Sequence, residues 1–269
     1  MVPCRITRAA DMREYQKGVT LIELMVSVAV GLIVAAMMFG IYANSAVKSS
    51  ELLKTSKLNQ ELYSLMLVMG NDIRRAGYWG NPDYENPQDN PFSQDDNTGL
   101  GVIDDLVSNT RVAANSAAGG ECILYAFDAD EDGLLDDTDI FGFRLNNGIV
   151  QMREKGDASE TVNDDCSKGS WRNVTDVDQF VVDELNFSLA RTQCINADEP
   201  NDTDDDSNGV IDDEDSDCYA NVPTDGSGVI TVETRQVTIS MTASLVSDAN
   251  VKSSIQEDVR VRNDMVRIR

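Results

Sequence analysis

The sequence predicts an α+β fold in which one long N-terminal helix packs on an antiparallel β-sheet, and three observations carry that reading. An uncharged run of 24 residues, Leu24 to Val47, leads without a break into a stripe of apolar residues at helical spacing. Beyond residue 120 come six segments rich in β-branched and aromatic residues, separated by turn signals. Two acidic twelve-residue stretches, 128–139 and 204–215, interrupt the strand-like segments as loop insertions.

The helix comes first. As an α-helix, Leu24 to Val47 would be about 36 Å long, enough to cross a bilayer core of about 30 Å. Bases stand on both sides of it, Arg5, Arg8, Arg13 and Lys17 before and Lys48, Lys54 and Lys57 after, so charge alone sets no orientation. Leu58, Leu62, Leu65, Met69 and Ile73 then recur at steps of four and three, no proline intervenes before Pro82, and Gly77 supplies a stop. One helix is expected over 19–77, with a membrane-spanning half at 19–47 and an amphipathic half that covers a domain.

Residues 78–120, rich in Asn, Asp, Pro and Gly, read as a long connection. The exported sheet domain is expected over 121–269. Its strand candidates are "CILYAF" from Cys122, "IFGFRL" from Ile140, "GIVQMR" from Gly148, "QFVVDELNFSLA" from Gln179, "VITVETRQVTISMTASL" from Val229 and "SIQEDVRVR" from Ser254. Asn146, Asn147 and Gly148 mark a tight hairpin between the second and third.

Composition narrows the function classes. The chain carries 47 acids against 22 bases and no histidine. Such a charge disfavours a nucleic-acid partner, and the missing imidazole removes the commonest general base and transition-metal ligand. With no nucleophile motif either, an enzyme is not expected. Four cysteines, Cys122, Cys166, Cys194 and Cys218, follow the apolar run and fit an oxidising compartment. They allow three pairings, of which Cys122 with Cys166 and Cys194 with Cys218 is favoured because each pair closes a separate excursion.

The acidic stretches have the spacing of calcium loops. In "DADEDGLLDDTD", Asp128, Asp130, Asp132, Asp136 and Asp139 occupy positions 1, 3, 5, 9 and 12, Gly133 stands at the sharp turn of position 6, and Leu134 offers its carbonyl at position 7. "DDDSNGVIDDED" repeats the register with Asp204, Asp206, Asn208, Gly209, Val210, Asp212 and Asp215. Each loop holds seven acids and no base, a repulsion that a cation would offset. Two structural Ca2+ sites are therefore expected. Aspartate at position 12, instead of the longer glutamate, resembles dockerin-type bacterial loops.

At the head of the apolar run stands one acid, Glu23. Locally, Thr20-Leu21-Ile22-Glu23 fits a capping box, with the carboxylate at the positive end of the helix dipole. Gly18 followed by "VTLIELMVSVAVGLIV" also resembles the type IV prepilin motif. "DIRRAGYWG" from Asp72 and "VRVRN" before Asp264 are similar to the PilW group of minor pilins, which are related to J-type pseudopilins of type II secretion. Val19 departs from the phenylalanine usual at the first mature position.

That resemblance implies a type IV pilin-like fold and an assembly role. A prepilin peptidase/methyltransferase would cut after Gly18 and methylate Val19, discarding residues 1–18 as a leader; Met12 offers an internal start with a seven-residue basic leader. Glu23 would pair with the N-terminal amine of a neighbouring subunit. Before assembly the chain would sit in the inner membrane by a single pass with its C-terminal domain periplasmic, and after it in a surface pilus among other minor pilins and the major pilin. The implied function is that of a minor pilin that initiates or caps assembly. A type II secretion pseudopilin and a calcium-dependent tip adhesin are the alternatives.

Overall fold

Thr20 starts the long helix by turning its hydroxyl oxygen back to accept the amide of Glu23 at 3.3 Å, which satisfies one of the N–H groups that every helix leaves open at its start. From there α1 (Leu21–Ile73) runs unbroken for 53 residues. The computed structural model describes residues 18–80, 89–93, 99–112, 116–156, 165–196 and 230–268. Most of the expected leader with Met12, the second acidic loop (204–215) and Cys218 lie outside the described residues. The chain divides into two compact units, 1–52 and 53–269, with the boundary inside α1.

In the first unit the described part of α1 is exposed throughout, and its side chains from Leu21 to Val47 are almost all apolar. It is long and apolar enough to cross a membrane. In the second unit the same helix becomes one-sided. Leu58, Leu62, Leu65, Met66, Met69, Gly70 and Ile73 are buried, whereas Tyr63, Leu67 and Val68 on the other side are exposed. The five positions whose spacing predicted a stripe are all in the core. The helix ends because Gly77 takes a left-handed conformation at φ +72 and gives its N–H to the carbonyl of Ala126 at 2.8 Å.

Within the described residues of 53–269 the strands are β1 (Gly101–Ile103), β2 (Arg111–Val112), β3 (Gly119–Gly120), β4 (Cys122–Ala126), β5 (Ile140–Asn146), β6 (Ile149–Lys155), β7 (Ser170–Asn173), β8 (Phe180–Ser188), β9 (Gln193–Asn196), β10 (Ile230–Thr234), β11 (Gln236–Leu245), β12 (Asp248–Arg260) and β13 (Met265–Ile268). All their pairings are antiparallel. They form three sheets, ordered β2-β1-β4-β5-β6-β7, β12-β11-β8-β3 and β13-β10-β9. The buried face of α1 shares one core with Ile123, Tyr125, Phe143 and Val150 of the first sheet and with Val182, Phe187, Ile239, Met241 and Val259 of the second.

Three features differ from the sequence reading. The 78–120 connection contains β1, β2 and β3, strands of two or three residues that are too short to give a periodic signal. The described part of the run expected from Val229, Ile230 to Leu245, is two strands in different sheets, parted at Arg235. The Arg235 guanidinium is buried, lies 3.0 Å from the equally buried Glu233 carboxylate and donates to the carbonyl of Leu100. This paired internal charge stands at the point where the chain changes sheet. β7, β9 and β13 were also not foreseen. By contrast Asn147 and Gly148, at φ 52 and 78, form the two-residue hairpin that the sequence announced.

Side chains reinforce the docking of α1. The Tyr125 hydroxyl, fully buried on β4, donates to Asp72 at 2.6 Å. Lys54 lies 3.1 Å from Asp248, Arg74 lies 3.3 Å from Glu257, and the Ser253 hydroxyl donates to Asn59. Cys122 is bonded to Cys166, which ties β4 to the segment preceding β7. Trp171 packs against that pair, with the Arg144 guanidinium 4.2 Å above its ring.

Candidate functional site

Two places gather the residues singled out by the sequence. The first is the start of α1. Gly18 and Val19 precede the helix in non-helical backbone and are exposed. Glu23 lies in the first turn, where its carboxylate meets the positive end of the helix dipole. Its carbonyl also accepts the Ser27 hydroxyl at 2.7 Å. The Thr20 half of the expected cap is therefore present, and Gly18, two residues before it, is exposed.

The second place is the loop 128–139 between β4 and β5. Its two ends are drawn together: the amide of Phe127 donates to the carbonyl of Asp139 at 3.1 Å, and the amide of Ala129 donates to the Asp139 carboxylate at 2.9 Å. Glu131 and Gly133, at φ 62 and 79, turn the chain inward. Glycine adopts that conformation without strain, whereas Glu131 does so against its side chain. One carboxylate oxygen from each of Asp128, Asp130 and Asp139 then lies within 4.8 Å of the others.

Asp128 and Asp139 are both 1% exposed, which is unusual for carboxylates. Oδ2 of Asp128 accepts the amides of Gly133 at 3.0 Å and Gly80 at 2.9 Å. Its Oδ1 is buried without a hydrogen-bond partner among the described residues. Leaving such an oxygen bare costs about 1–3 kcal/mol, more when it is charged. Burial pushes the Asp139 carboxyl above the ordinary carboxylate value, against the pull of the Ala129 and Asp136 amides. An all-oxygen set with a bare buried carboxylate oxygen suits a hard divalent cation.

The remaining positions of the loop are used differently. Asp132 accepts the amide of Leu134 at 2.7 Å. Asp136 caps a short 3-10 turn, Asp137–Asp139, by accepting both the amide and the hydroxyl of Thr138, which lowers its pKa. The structure thus brings together positions 1, 3 and 12 and engages 5 and 9 in local turns. The Leu134 side chain is exposed. Asp204, Asp206, Asn208, Val210, Asp212 and Asp215 lie outside the described residues. Cys194 belongs to β9, where its backbone pairs with Glu233; its side chain, like Cys218, is outside the description.

Sequence reasoning missed the segment that leaves α1, Gly77–Gly80. Its carbonyl at Tyr78 accepts the amide of Asp128 at 2.9 Å, and the Trp79 indole donates to the carbonyl of Gly133 at 3.2 Å. Glu131 approaches the Tyr78 hydroxyl at 3.5 Å and pushes its pKa upward. "DIRRAGYWG" was visible as a motif, but a separation of about fifty residues hid its contact with the loop.

Residues 13–39, which include Gly18, Val19 and Glu23, match the prokaryotic N-terminal methylation motif. Residues 51–261, more than half of the chain, match the family model of prepilin peptidase-dependent protein B. No curated protein and no solved structure matches the chain.

Proposed function

Because the chain belongs to the family of prepilin peptidase-dependent protein B, we propose that it is a minor pilin that helps to initiate or cap assembly of a type IV pilus. The observation that carries the proposal is α1 itself: an exposed apolar run with a single acid near its start continues, in the same helix, as the buried stripe of a sheet domain. A helix apolar all round is stable only in lipid or among other apolar helices. The protein would be anchored in the membrane by this helix until assembly moves it into a filament. The "DIRRAGYWG" and "VRVRN" patches support assignment to the PilW group.

Processing would fall after Gly18, with methylation at Val19. Glu23 would then act twice. In the membrane its carboxylate lies at the positive end of its own helix dipole; in the filament it faces the amine of a neighbouring subunit. An acid in lipid costs about 2.5–3.5 kcal/mol at mid-bilayer, which favours any partner that neutralises it. Glu23→Ala should leave processing intact and reduce recovery of the protein in sheared filaments, whereas Gly18→Ala should leave the precursor uncut on a gel. Wild-type recovery of the Glu23→Ala variant would refute the pairing role.

We further assign the first acidic loop to calcium. Asp128, Asp130 and Asp139 would hold the ion, and the bare Oδ1 of Asp128 supports this reading. The donors are all oxygens, and the loop draws several carboxylates close together, which favours calcium over the more strongly hydrated magnesium. Bound there, the ion would offset carboxylate repulsion and order the loop. The second loop, with the same spacing, is assigned to calcium on its sequence.

A further inference from the structure

We propose that the first acidic loop is a calcium-dependent latch for the segment Gly77–Gly80, through which the chain leaves α1. The inference rests on the calcium reading of that loop and extends it to a structural consequence. The carboxylate of Asp128 serves both sides. Its Oδ2 accepts the amide of Gly133, inside the loop, and the amide of Gly80, in the departing segment. Its Oδ1 is buried and bare. A cation held at Oδ1 fixes the carboxylate as an anion in one orientation, and that orientation is the one in which Oδ2 receives Gly80.

Other contacts make the junction more than one hydrogen bond. The amide of Gly77 donates to Ala126, the amide of Asp128 donates to Tyr78, and the Trp79 indole donates to Gly133. The Arg75 guanidinium lies 3.9 Å from the centre of the Phe127 ring, immediately before the loop. Gly80 sits so close that a Cβ there would lie 2.9 Å from Asp128 Oδ2, 2.9 Å from the Glu131 Cα and 3.0 Å from its Cβ. Two of those three neighbours belong to the main chain or its first side-chain carbon, so a side chain at this position must displace the segment from the loop. The close approach serves no helix or strand; what it secures is contact between the segment and the carboxylate proposed to bind the cation.

Coupling of this kind is reciprocal: if calcium orders the segment, then disturbing the segment weakens calcium binding by the same factor. The full-length chain in detergent micelles provides the test. Calcium binding is followed by calorimetry in wild type and Asp128→Asn, so that heat from the second loop is common to both. Amide exchange at Gly77–Gly80 is followed with and without calcium. In a Trp171→Phe background, Trp79 is the sole tryptophan and its emission reports the segment directly.

The latch predicts that calcium slows exchange of the Gly80 amide about fivefold or more in wild type and not in Asp128→Asn, and that it shifts Trp79 emission. It predicts also that Gly80→Ala, with an unchanged circular dichroism spectrum, binds calcium at the first loop about fivefold or more weakly. Binding heat that depends on Asp128, with exchange at Gly77–Gly80 and Trp79 emission unmoved by calcium, would overturn the latch and leave the calcium site standing. Heat identical in wild type and Asp128→Asn would overturn the calcium reading of this loop and the latch together. Should Gly80→Ala unfold, the exchange and emission arms on the unaltered segment still decide.

Discussion

Replacing both cysteines of the Cys122–Cys166 bridge by serine should destabilise the sheet domain by about 4 kcal/mol. The two positions are 44 residues apart in sequence, and closing a loop of that length in the unfolded chain removes about 13 cal/mol/K of entropy, hence the figure at 25 °C. Both residues are fully buried, in a cluster with Ile103, Leu124 and Trp171. The carbonyl of Cys166 also receives the Arg144 guanidinium at 2.5 Å, so the bridge positions a segment that has other work to do. Urea unfolding of the full-length chain in micelles, followed by tryptophan fluorescence, reads the loss. With an m-value of about 2–3 kcal/mol/M the midpoint should fall by about 1.3–2 M. In the wild type these positions should also resist thiol alkylation in urea alone and become reactive only when a reductant that cleaves the bridge is added. A midpoint shift below about 0.3 M would refute the reasoning, because it would mean that the unfolded chain gains no freedom when the bridge is removed.

Two further measurements address the core beneath α1. Leu62→Ala should destabilise the domain by about 3 kcal/mol, since Leu62 is 1% exposed within the shared core, whereas Leu67→Ala on the exposed side should change stability by less than about 0.5 kcal/mol. Equal losses at the two positions, measured by urea unfolding, would contradict the observed face. Burial raises the Asp72 carboxyl above its ordinary value of 3.8, outweighing the Tyr125 hydroxyl and Arg75. A group raised on folding stabilises the protein below its unfolded pKa, and that contribution is lost as pH rises through the folded value. Asp72→Asn should therefore flatten the fall in melting temperature as pH rises above 3.8; an unchanged pH profile would contradict the assignment.

Much of this molecule was written in local periodicity. The stripe from Leu58 to Ile73 announces which face of α1 is buried because a helix repeats every 3.6 residues whatever it packs against. Gly77 announces the end of the helix, and Asn147-Gly148 the hairpin, because both need left-handed backbone that few residues accept. The acidic loop was legible through its spacing, and Gly18 with Glu23 through a motif read one residue at a time. What escaped was set by partners distant in sequence. β1, β2 and β3 exist because neighbours offer hydrogen bonds, since two or three residues carry no pattern of their own. At the change of sheet Arg235 meets Glu233 and the carbonyl of Leu100, contacts that alternation along one strand does not reveal.

The sequence by itself determined the order of parts: an apolar helix headed by one acid, an amphipathic continuation, and strands interrupted by acidic loops. Those are consequences of backbone period and side-chain polarity, which act over a few residues. Only the tertiary structure decided that Asp128, Asp130 and Asp139 approach one another while Asp132 and Asp136 turn to nearby amides. It also decided that Gly80 meets the same carboxylate oxygen as Gly133. Buried polar atoms take the partners that the fold brings within about 3 Å, and sequence spacing does not record that distance.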